Sequence, residues 1–164
     1  MSKSTRVLFV CLGNIIRSPL AARLFERVAK EAGVAEKYEA DSAGTGDWHS
    51  GEGPDERMVR TAARRGFHYT NRARQLKPKD LDEYDVLIAM DLENRADIES
   101  LARNAKQRAK IHLLREFDPE AKGSPAVPDP WYGGPSGFED AYDIIERSVQ
   151  GLLESLEAGT LRLS

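Results

Sequence analysis

The stretch that decides the fold lies near the start of the chain, where residues 6–20 read RVLFVCLGNIIRSPL. Residues 6–10 are mostly apolar and strand-forming, the composition of a buried parallel β-strand. A helical pattern begins near Ser18, because the proline at position 19 suits the first turn of a helix. Apolar side chains then recur every four residues until Gly33, at Leu20, Leu24, Val28 and Ala32. This stretch predicts a strand, a loop and a helix.

The alternation of strands and helices continues along the chain. Further strands are predicted over residues 37–43, 84–90 and 110–114, and a helix over residues 55–65. Asp91 is a candidate N-cap for another helix, and the last helix is predicted to open at Ser136 with Glu139 at the capping-box spacing. The inward residues are expected to be Met58, Val59, Ala62 and Ala63, then Leu92, Ala96 and Leu101, then Ile145, Val149, Leu152 and Leu156. The pattern predicts an α/β fold with a parallel sheet, in one domain over residues 1–164.

The composition narrows the class of function. A chain of 164 residues that is 40% hydrophobic and 31% charged suits one globular domain. The formal net charge of −3 argues against a dedicated binder of nucleic acid or anionic membranes. The single cysteine excludes an intrachain disulfide, a Cys-rich zinc site and a dithiol relay within the chain. Since no apolar run resembles a signal peptide or a membrane span, we expect a cytoplasmic protein.

The loop between Cys11 and the first helix combines a thiol with groups that bind an oxyanion. Ligands of parallel α/β sheets bind beyond the carboxyl ends of the strands, and Cys11 lies at one such end. Successive backbone N–H groups of a loop before a helix can converge on an anion, and Gly13 and Asn14 tolerate the positive φ that this requires. Arg17 adds a planar, permanently charged fork of donors. The loop therefore favours a reactive thiolate over the alternative, a buried structural cysteine.

Three segments resemble the low-molecular-weight protein tyrosine phosphatases, namely VCLGNIIRSP at 10–19, DSAGTGDWH at 41–49 and VPDPWY at 127–132. The resemblance covers essentially the whole chain. It implies a four-stranded parallel sheet with helices on both faces, and hydrolysis of phosphotyrosine and aryl phosphates through a phosphocysteine, without a metal or other cofactor. The partners that it implies are phosphotyrosine-containing proteins, with no nucleic acid and no membrane. We expect a monomer or a weak dimer.

Asp129 is the candidate proton donor for the leaving oxygen. It lies in the long loop over residues 117–137, which holds five of the eight prolines, and loops of that length are usually functional. The proline at position 130 restricts Asp129 to extended conformations, so the direction of the carboxyl group is partly fixed. The same carboxylate is then expected to activate the water molecule that hydrolyses the phosphorylated enzyme. The alternative is an ordinary turn aspartate beside a proline.

The resemblance implies roles for the remaining site residues. Cys11 matches the nucleophile, Ser18 matches the hydroxyl group that stabilises the leaving thiolate, and Arg17 and the loop backbone hold the phosphate. That backbone belongs to Leu12, Gly13, Asn14, Ile15, Ile16 and Arg17. The residues that shape the loop are expected to be Asn14, Ser42, Asn71 and Asp91, although an N-cap role explains Asp91 equally well. The slot for the phenyl ring is expected to be lined by Trp48, Trp131 and Tyr132.

Two positions depart from the family pattern. Ile16 stands where many members carry a second cysteine that protects the nucleophile as a reversible disulfide. Asn71 stands where many members carry a histidine that shapes the loop, and we expect an altered rather than an abolished set of contacts there. No catalytic role is predicted for His49, His68 or His112.

Three other functions stay open at this stage. An arsenate reductase would need external thiols, because such enzymes usually relay through further cysteines. An arginine phosphatase of the same family would be expected to carry threonine at the position of Ile15, whose apolar side chain favours a flat ring. A non-catalytic phosphotyrosine-binding module would usually lack the nucleophile or the acid.

A basic stretch in this acidic chain has two interpretations. It consists of Arg57, Arg60, Arg64, Arg65, Arg72 and Arg74. The simpler interpretation is a solvated helix face. The other is a surface that steers acidic phosphopeptides towards the site.

Overall fold

The computed structural model describes residues 4–132 and 134–161, except for the side chains of Tyr132 and Pro135. Four parallel strands form one sheet in the order β2-β1-β3-β4. They are β1 (Thr5–Cys11), β2 (Tyr38–Gly44), β3 (Val86–Ala89) and β4 (Ile111–Leu113). The predicted four-stranded parallel sheet is therefore confirmed.

Within the described residues, six α-helices connect and cover the strands. They are α1 (Arg17–Glu31), α2 (Glu56–Arg64), α3 (Asp80–Glu83), α4 (Leu92–Leu101), α5 (Ala105–Arg108) and α6 (Pro135–Ala158). Short 3-10 helices lie at residues 35–37, 114–117 and 130–132. Within the described ranges, no helix is both long and apolar enough to cross a membrane.

The sheet carries a hydrophobic cluster on each face. Alternate side chains of a strand point to opposite faces, and β1 supplies both clusters in this way. Val7 and Phe9 pack with residues of α1, α2 and α6, whereas Leu8 and Val10 pack with residues of α3 and α4. All four side chains are fully buried, which explains why β1 is a continuous apolar run rather than an alternating one. The predicted arrangement of helices on both faces is confirmed.

The predicted inward face of α4 is wrong at Leu92 and Ala96, which are exposed, while Leu101 is partly buried against the core as predicted. The helix instead buries Asn94 and Ile98. Asp91 caps the helix as predicted, because its carboxylate accepts the backbone N–H of Asn94. The cap fixes where the helix begins, and in this orientation positions 94 and 98 face the sheet.

The predicted start of α6 is also wrong. The helix begins at Pro135 after Gly134, and no side chain caps it. Proline suits the first helical position, so Ser136 lies inside the helix and forms no capping box. The carboxylate of Glu139 instead accepts hydrogen bonds from Arg64 and Arg65, which join α6 to the end of α2.

Candidate active site

Cys11 ends β1 at the carboxyl edge of the sheet, with its side chain 3% exposed. Its Sγ lies 3.0 Å from the hydroxyl oxygen of Ser18 and accepts the backbone N–H of Asn14 at 3.3 Å. The N-terminus of α1 follows at Arg17. Hydrogen-bond donors beside a sulfur atom and the positive end of a helix stabilise negative charge at that position. The surroundings of Cys11 thus suit a sulfur nucleophile.

Asn14 holds the loop in an unusual backbone conformation. Its φ of 58° lies in the left-handed region, which costs a residue other than glycine about 1 kcal/mol or more. Both ends of the buried side chain are used, since Nδ2 donates to Ser18 Oγ at 2.8 Å and Oδ1 accepts the backbone N–H of Arg74 at 3.0 Å. These bonds fix the loop and offset the backbone cost.

The loop is anchored through its carbonyl groups and leaves its N–H groups available. Backbone N–H groups outside the loop donate to the carbonyl oxygens of Cys11, Leu12 and Ile15, at 2.9, 3.0 and 2.8 Å; they belong to Thr45, Gly46 and Asp55. Four loop N–H groups have no acceptor among the described residues, namely those of Leu12, Gly13, Ile15 and Ile16. Successive unpaired N–H groups before a helix form an anion-binding nest.

Arg17 is buried, and the contacts of its guanidinium group fix its orientation. Nη1 donates to Asp91 Oδ2 at 2.9 Å and to the carbonyl oxygen of Val127 at 2.8 Å. The other oxygen of Asp91 accepts the N–H of Asn94 at 2.8 Å. Asp91 therefore both orients Arg17 and caps α4, so the two interpretations of this residue hold together.

Asp129 lines the same pocket as Cys11. Its Oδ2 is 3.7 Å from Nη2 of Arg17, and its Oδ1 accepts the backbone N–H of Trp131 at 3.0 Å. The loop that carries Asp129 is tied to the sheet because the N–H of Val127 donates to the carbonyl oxygen of Met90 at 2.8 Å. The structure thus brings the carboxyl group and the thiol to one pocket, although they are far apart in sequence.

The pocket has a volume of about 120 Å³, with Cys11 among its lining residues and aromatic side chains in its walls. Trp48 and Trp131 both line it, and they are 68% and 48% exposed. Large aromatic residues at such exposure, beside a concave site, suit a surface that receives a ring. The side chain of Tyr132, the third predicted wall residue, lies outside the described residues.

Ser42 and Asn71, both expected to shape the nucleophile loop, are hydrogen-bonded to each other. Ser42 Oγ donates to Asn71 Oδ1 at 3.2 Å, and Nδ2 of Asn71 is buried without a described partner. Of the two, neither makes a described hydrogen bond with residues 11–18. No three His, Cys, Asp or Glu side chains in residues 4–132 and 134–161 are arranged to hold a metal ion.

The sequence analysis missed two residues near the pocket. His49 lines it, with its ring centroid 6.4 Å from that of Trp131 and its Nδ1 3.0 Å from Glu52. Arg57 places its guanidinium carbon 4.9 Å from the centroid of the Trp131 ring. The contacts of His49 and Arg57 with Trp131 join segments that are far apart in the sequence, so no short-range motif predicts them.

The comparisons with known proteins agree with this geometry. Residues 6–161 match the family described as low molecular weight phosphotyrosine protein phosphatase. The chain is 41% identical over 152 residues to the low molecular weight protein-tyrosine-phosphatase of Streptomyces coelicolor, covering 92% of this chain and 93% of the relative. It is 38% identical over 157 residues to the phosphatase of Schizosaccharomyces pombe, covering 95% and 99%. A solved protein tyrosine phosphatase from Entamoeba histolytica superposes with a TM-score of 0.91 at 35% identity, covering 96% of this chain and 100% of that one.

Proposed function

Because the chain belongs to the low molecular weight phosphotyrosine protein phosphatase family, we propose that it hydrolyses phosphotyrosine in proteins, and aryl phosphates, through a phosphocysteine intermediate. The observation that carries this proposal is one pocket lined by the Cys11 thiol, the fixed Arg17 guanidinium and the Asp129 carboxyl group. The loop that follows the same thiol carries the N–H groups without a described acceptor. Together these groups supply what phosphoryl transfer to sulfur requires.

In the first step, the Cys11 thiolate attacks phosphorus and the bond from phosphorus to the phenolic oxygen breaks. Arg17 and the loop N–H groups hold the three non-bridging oxygens, on which charge accumulates. Asp129 donates its proton to the departing oxygen, so the product leaves as a neutral phenol. The phosphoryl group is then bound to sulfur.

In the second step, water attacks the phosphocysteine and the Asp129 carboxylate takes one proton from it. The bond from sulfur to phosphorus breaks, and inorganic phosphate and the Cys11 thiolate form. Ser18 Oγ, 3.0 Å from Sγ, and the N–H of Asn14 stabilise the thiolate as it departs. The proton arrangement of the free enzyme is thereby restored.

The pocket favours an aromatic phosphate ester. Cys11 is nearly buried, while Trp48 and Trp131 line the same pocket and remain largely exposed, so a phosphoserine side chain is too short to bring its phosphate to the sulfur. Stacking of the phenyl ring contributes about 1 kcal/mol beyond burial of area. The apolar Ile15 offers no hydroxyl group to a guanidinium-linked phosphate. We therefore propose phosphotyrosine in preference to phosphoserine and phosphoarginine.

The test is a kinetic comparison of phosphotyrosine, phosphoserine and phosphoarginine without added metal. We expect phosphotyrosine to be turned over fastest and Cys11→Ser to abolish turnover. Asp129→Ala should lower kcat/KM by about 100-fold or more for poor leaving groups and much less for good ones, because kcat/KM reports the step in which the leaving oxygen is protonated. Failure to hydrolyse any aryl phosphate contradicts the proposed function, and an equal loss of kcat/KM on good and poor leaving groups contradicts the role of Asp129 as the acid.

Two further points belong to this proposal. The single sheet, shared by both hydrophobic clusters, supports one domain over residues 1–164. A cytoplasmic location is supported by the chemistry of the nucleophile, because a thiolate without a second cysteine nearby depends on a reducing compartment.

A further inference from the structure

Arg57 lies in the first turn of α2, and Asp55 holds its guanidinium group at two points. Nε donates to Asp55 Oδ1 at 3.1 Å and Nη2 donates to Oδ2 at 2.9 Å. Such a pair fixes the plane of the guanidinium group as well as its position. The hydrogen bond with Asp55 raises the pKa of Arg57 above its usual value, and the charge of Asp129 adds to that rise. The cation is therefore both fixed and electrostatically close to the proposed acid.

The fixed guanidinium group contacts two aromatic rings around the segment that carries the acid. Its carbon lies 4.9 Å from the ring centroid of Trp131 and 4.7 Å from that of Phe138. Trp131 comes two residues after Asp129, and Phe138 lies in the first turns of α6. Each cation–π contact is worth about 0.5–2 kcal/mol. One side chain thus holds both ends of residues 131–138.

The same residues also connect the acid to the nucleophile loop. The backbone N–H of Asp55 donates to the carbonyl oxygen of Ile15 at 2.8 Å. At the other end, the N–H of Trp131 donates to Asp129 Oδ1 at 3.0 Å. A continuous series of contacts therefore runs from Ile15 through Asp55, Arg57 and Trp131 to Asp129.

Burial fixes the backbone beside the acid at Val127 and Pro130, but it does not fix the side chain of Trp131. Trp131 is 48% exposed, and the Asp129 side chain is more exposed than Arg17 beneath it. The nearest oxygen of Asp129 is 3.7 Å from Arg17, which is too long for a good hydrogen bond. The hydrogen bond of Val127 with Met90 restrains the backbone before Asp129, and the contact between Arg57 and Trp131 is the restraint on the side that follows it.

We propose that Arg57 is a positioning residue, which holds Trp131 and thereby keeps the Asp129 carboxyl group where the leaving oxygen forms. This role rests on the proposed function, since it concerns the orientation of the proposed acid. A displacement of about 1 Å in a reacting group costs about 100-fold in rate. Loss of the restraint should therefore act on proton donation and spare the attack by sulfur.

The test compares Arg57→Ala with Arg60→Ala on aryl phosphates of good and poor leaving groups. Arg60 is the matched control, because it lies one turn further along α2 and its replacement by alanine removes the same charge. Its one ion-pair contact among the described residues is with Glu56, at 3.9 Å. We expect Arg57→Ala to lower kcat/KM by about 10- to 100-fold for poor leaving groups and by less than about threefold for good ones. Arg60→Ala should match the native chain on both.

Two more variants separate positioning from damage to the fold. Asp55→Asn weakens the paired hydrogen bonds that hold Arg57 but keeps an N-cap residue, so the variant should fold. It should show the same dependence on the leaving group as Arg57→Ala, with a smaller loss. In the Asp129→Ala background, Arg57→Ala should cause little additional loss of kcat/KM, because the group that it positions is already gone.

Each remaining outcome has a defined meaning. An equal loss on good and poor leaving groups overturns the positioning role. So does a change confined to KM for acidic phosphopeptides, which would make Arg57 a contact for substrate charge. If Asp129→Ala shows the leaving-group pattern while Arg57→Ala and Asp55→Asn do not, only the positioning role fails. If Asp129→Ala lacks that pattern, the proposed acid and the positioning role fail together.

Discussion

Asn14 meets two separate demands, a left-handed backbone and two side-chain hydrogen bonds. The variants Asn14→Gly and Asn14→Ala separate them, since both remove the hydrogen bonds but only glycine adopts this backbone without strain. Both should lose turnover, because Ser18 and the loop are no longer oriented. Asn14→Ala should be less stable than Asn14→Gly by about 1 kcal/mol in urea unfolding. Equal stability of the two variants would show that the backbone strain has little weight.

Site residues differ in how far the sequence predicts them. Cys11 and Arg17 are predictable because their spacing is local and is fixed by the strand before them and the helix after them. Asp129 is predictable from its flanking prolines only once the loop of Cys11 is recognised. The contact of Arg57 with Trp131 is set by how α2 packs against α6. No short-range pattern encodes that packing.

At the scale of elements, α6 offers a matched pair of glycines. An added Cβ at Gly151 would lie 2.0 Å from the carbonyl oxygen of Phe117, whereas one at Gly137 would make an ordinary 3.6 Å contact with Pro130. We expect Gly151→Ala to reduce the free energy of unfolding by about 2 kcal/mol, because backbone must move. Gly137→Ala should raise that free energy by about 0.5 kcal/mol, because alanine restricts the unfolded chain. Thermal and urea unfolding measure both, and a stable Gly151→Ala variant would contradict the close approach.

Asp118 joins the 3-10 helix at residues 114–117 to α6. Its buried carboxylate accepts hydrogen bonds from Arg115 at 2.9 Å and from Arg147 at 3.1 Å. Burial alone would raise the pKa of Asp118, but hydrogen bonds from Arg147, the N–H of Glu120 and Arg115 outweigh burial and hold the pKa below its usual value. The charged form therefore stabilises the folded state.

Asp118→Asn should accordingly destabilise the protein in a pH-dependent way. At pH 7 we expect a loss of about 3 kcal/mol, since two guanidinium groups lose their shared partner. The pKa of Asp118 is lower in the folded protein than in the unfolded chain. Its stabilising contribution is therefore complete above about pH 4 and is lost as the pH falls through the folded-state pKa. Urea unfolding of both proteins across this range should show their stabilities converging in acid. A constant difference at every pH would exclude the charge as the cause.

Elements were predictable where burial leaves a strong pattern. β1 and β3 are buried on both faces and read as apolar runs, and the long helix α1 shows a clear four-residue repeat. In α4 two of the apolar residues, Leu92 and Ala96, are exposed while Asn94 is buried, so the apolar pattern does not show which side faces the sheet. The helices α3 and α5 have four residues each, which is too short for any periodicity to appear.

At the scale of the whole molecule, the basic stretch is mostly neutralised by carboxylates of the same chain. Arg64 and Arg65 pair with Glu139 at 2.9 and 3.0 Å, and Arg74 pairs with Asp80 at 3.0 Å. These arginines therefore join secondary-structure elements through ion pairs and leave little unpaired positive charge. This argues against a purely solvated helix face and against strong steering of acidic substrates.

We expect weak electrostatic steering of acidic substrates as a result. The kcat/KM for an acidic phosphopeptide should change by less than about threefold between about 0.02 and 0.2 M salt, a range over which unpaired surface charges become screened. A neutral phosphopeptide of equal length is the control. A steep decrease for the acidic peptide alone would show that the arginines steer after all.

Cys11 has a practical consequence as the chain's one cysteine. Any mass added by a thiol-directed alkylating reagent must be attached to this sulfur. The intact mass of the treated protein therefore gives the fraction of molecules whose pocket thiol has reacted, without a contribution from other thiols. The rate of labelling then reports how often small molecules gain access to a sulfur that is 3% exposed. The alkylation rate of Cys11 therefore measures access to the pocket, and it can be determined in mixtures where no turnover assay is possible.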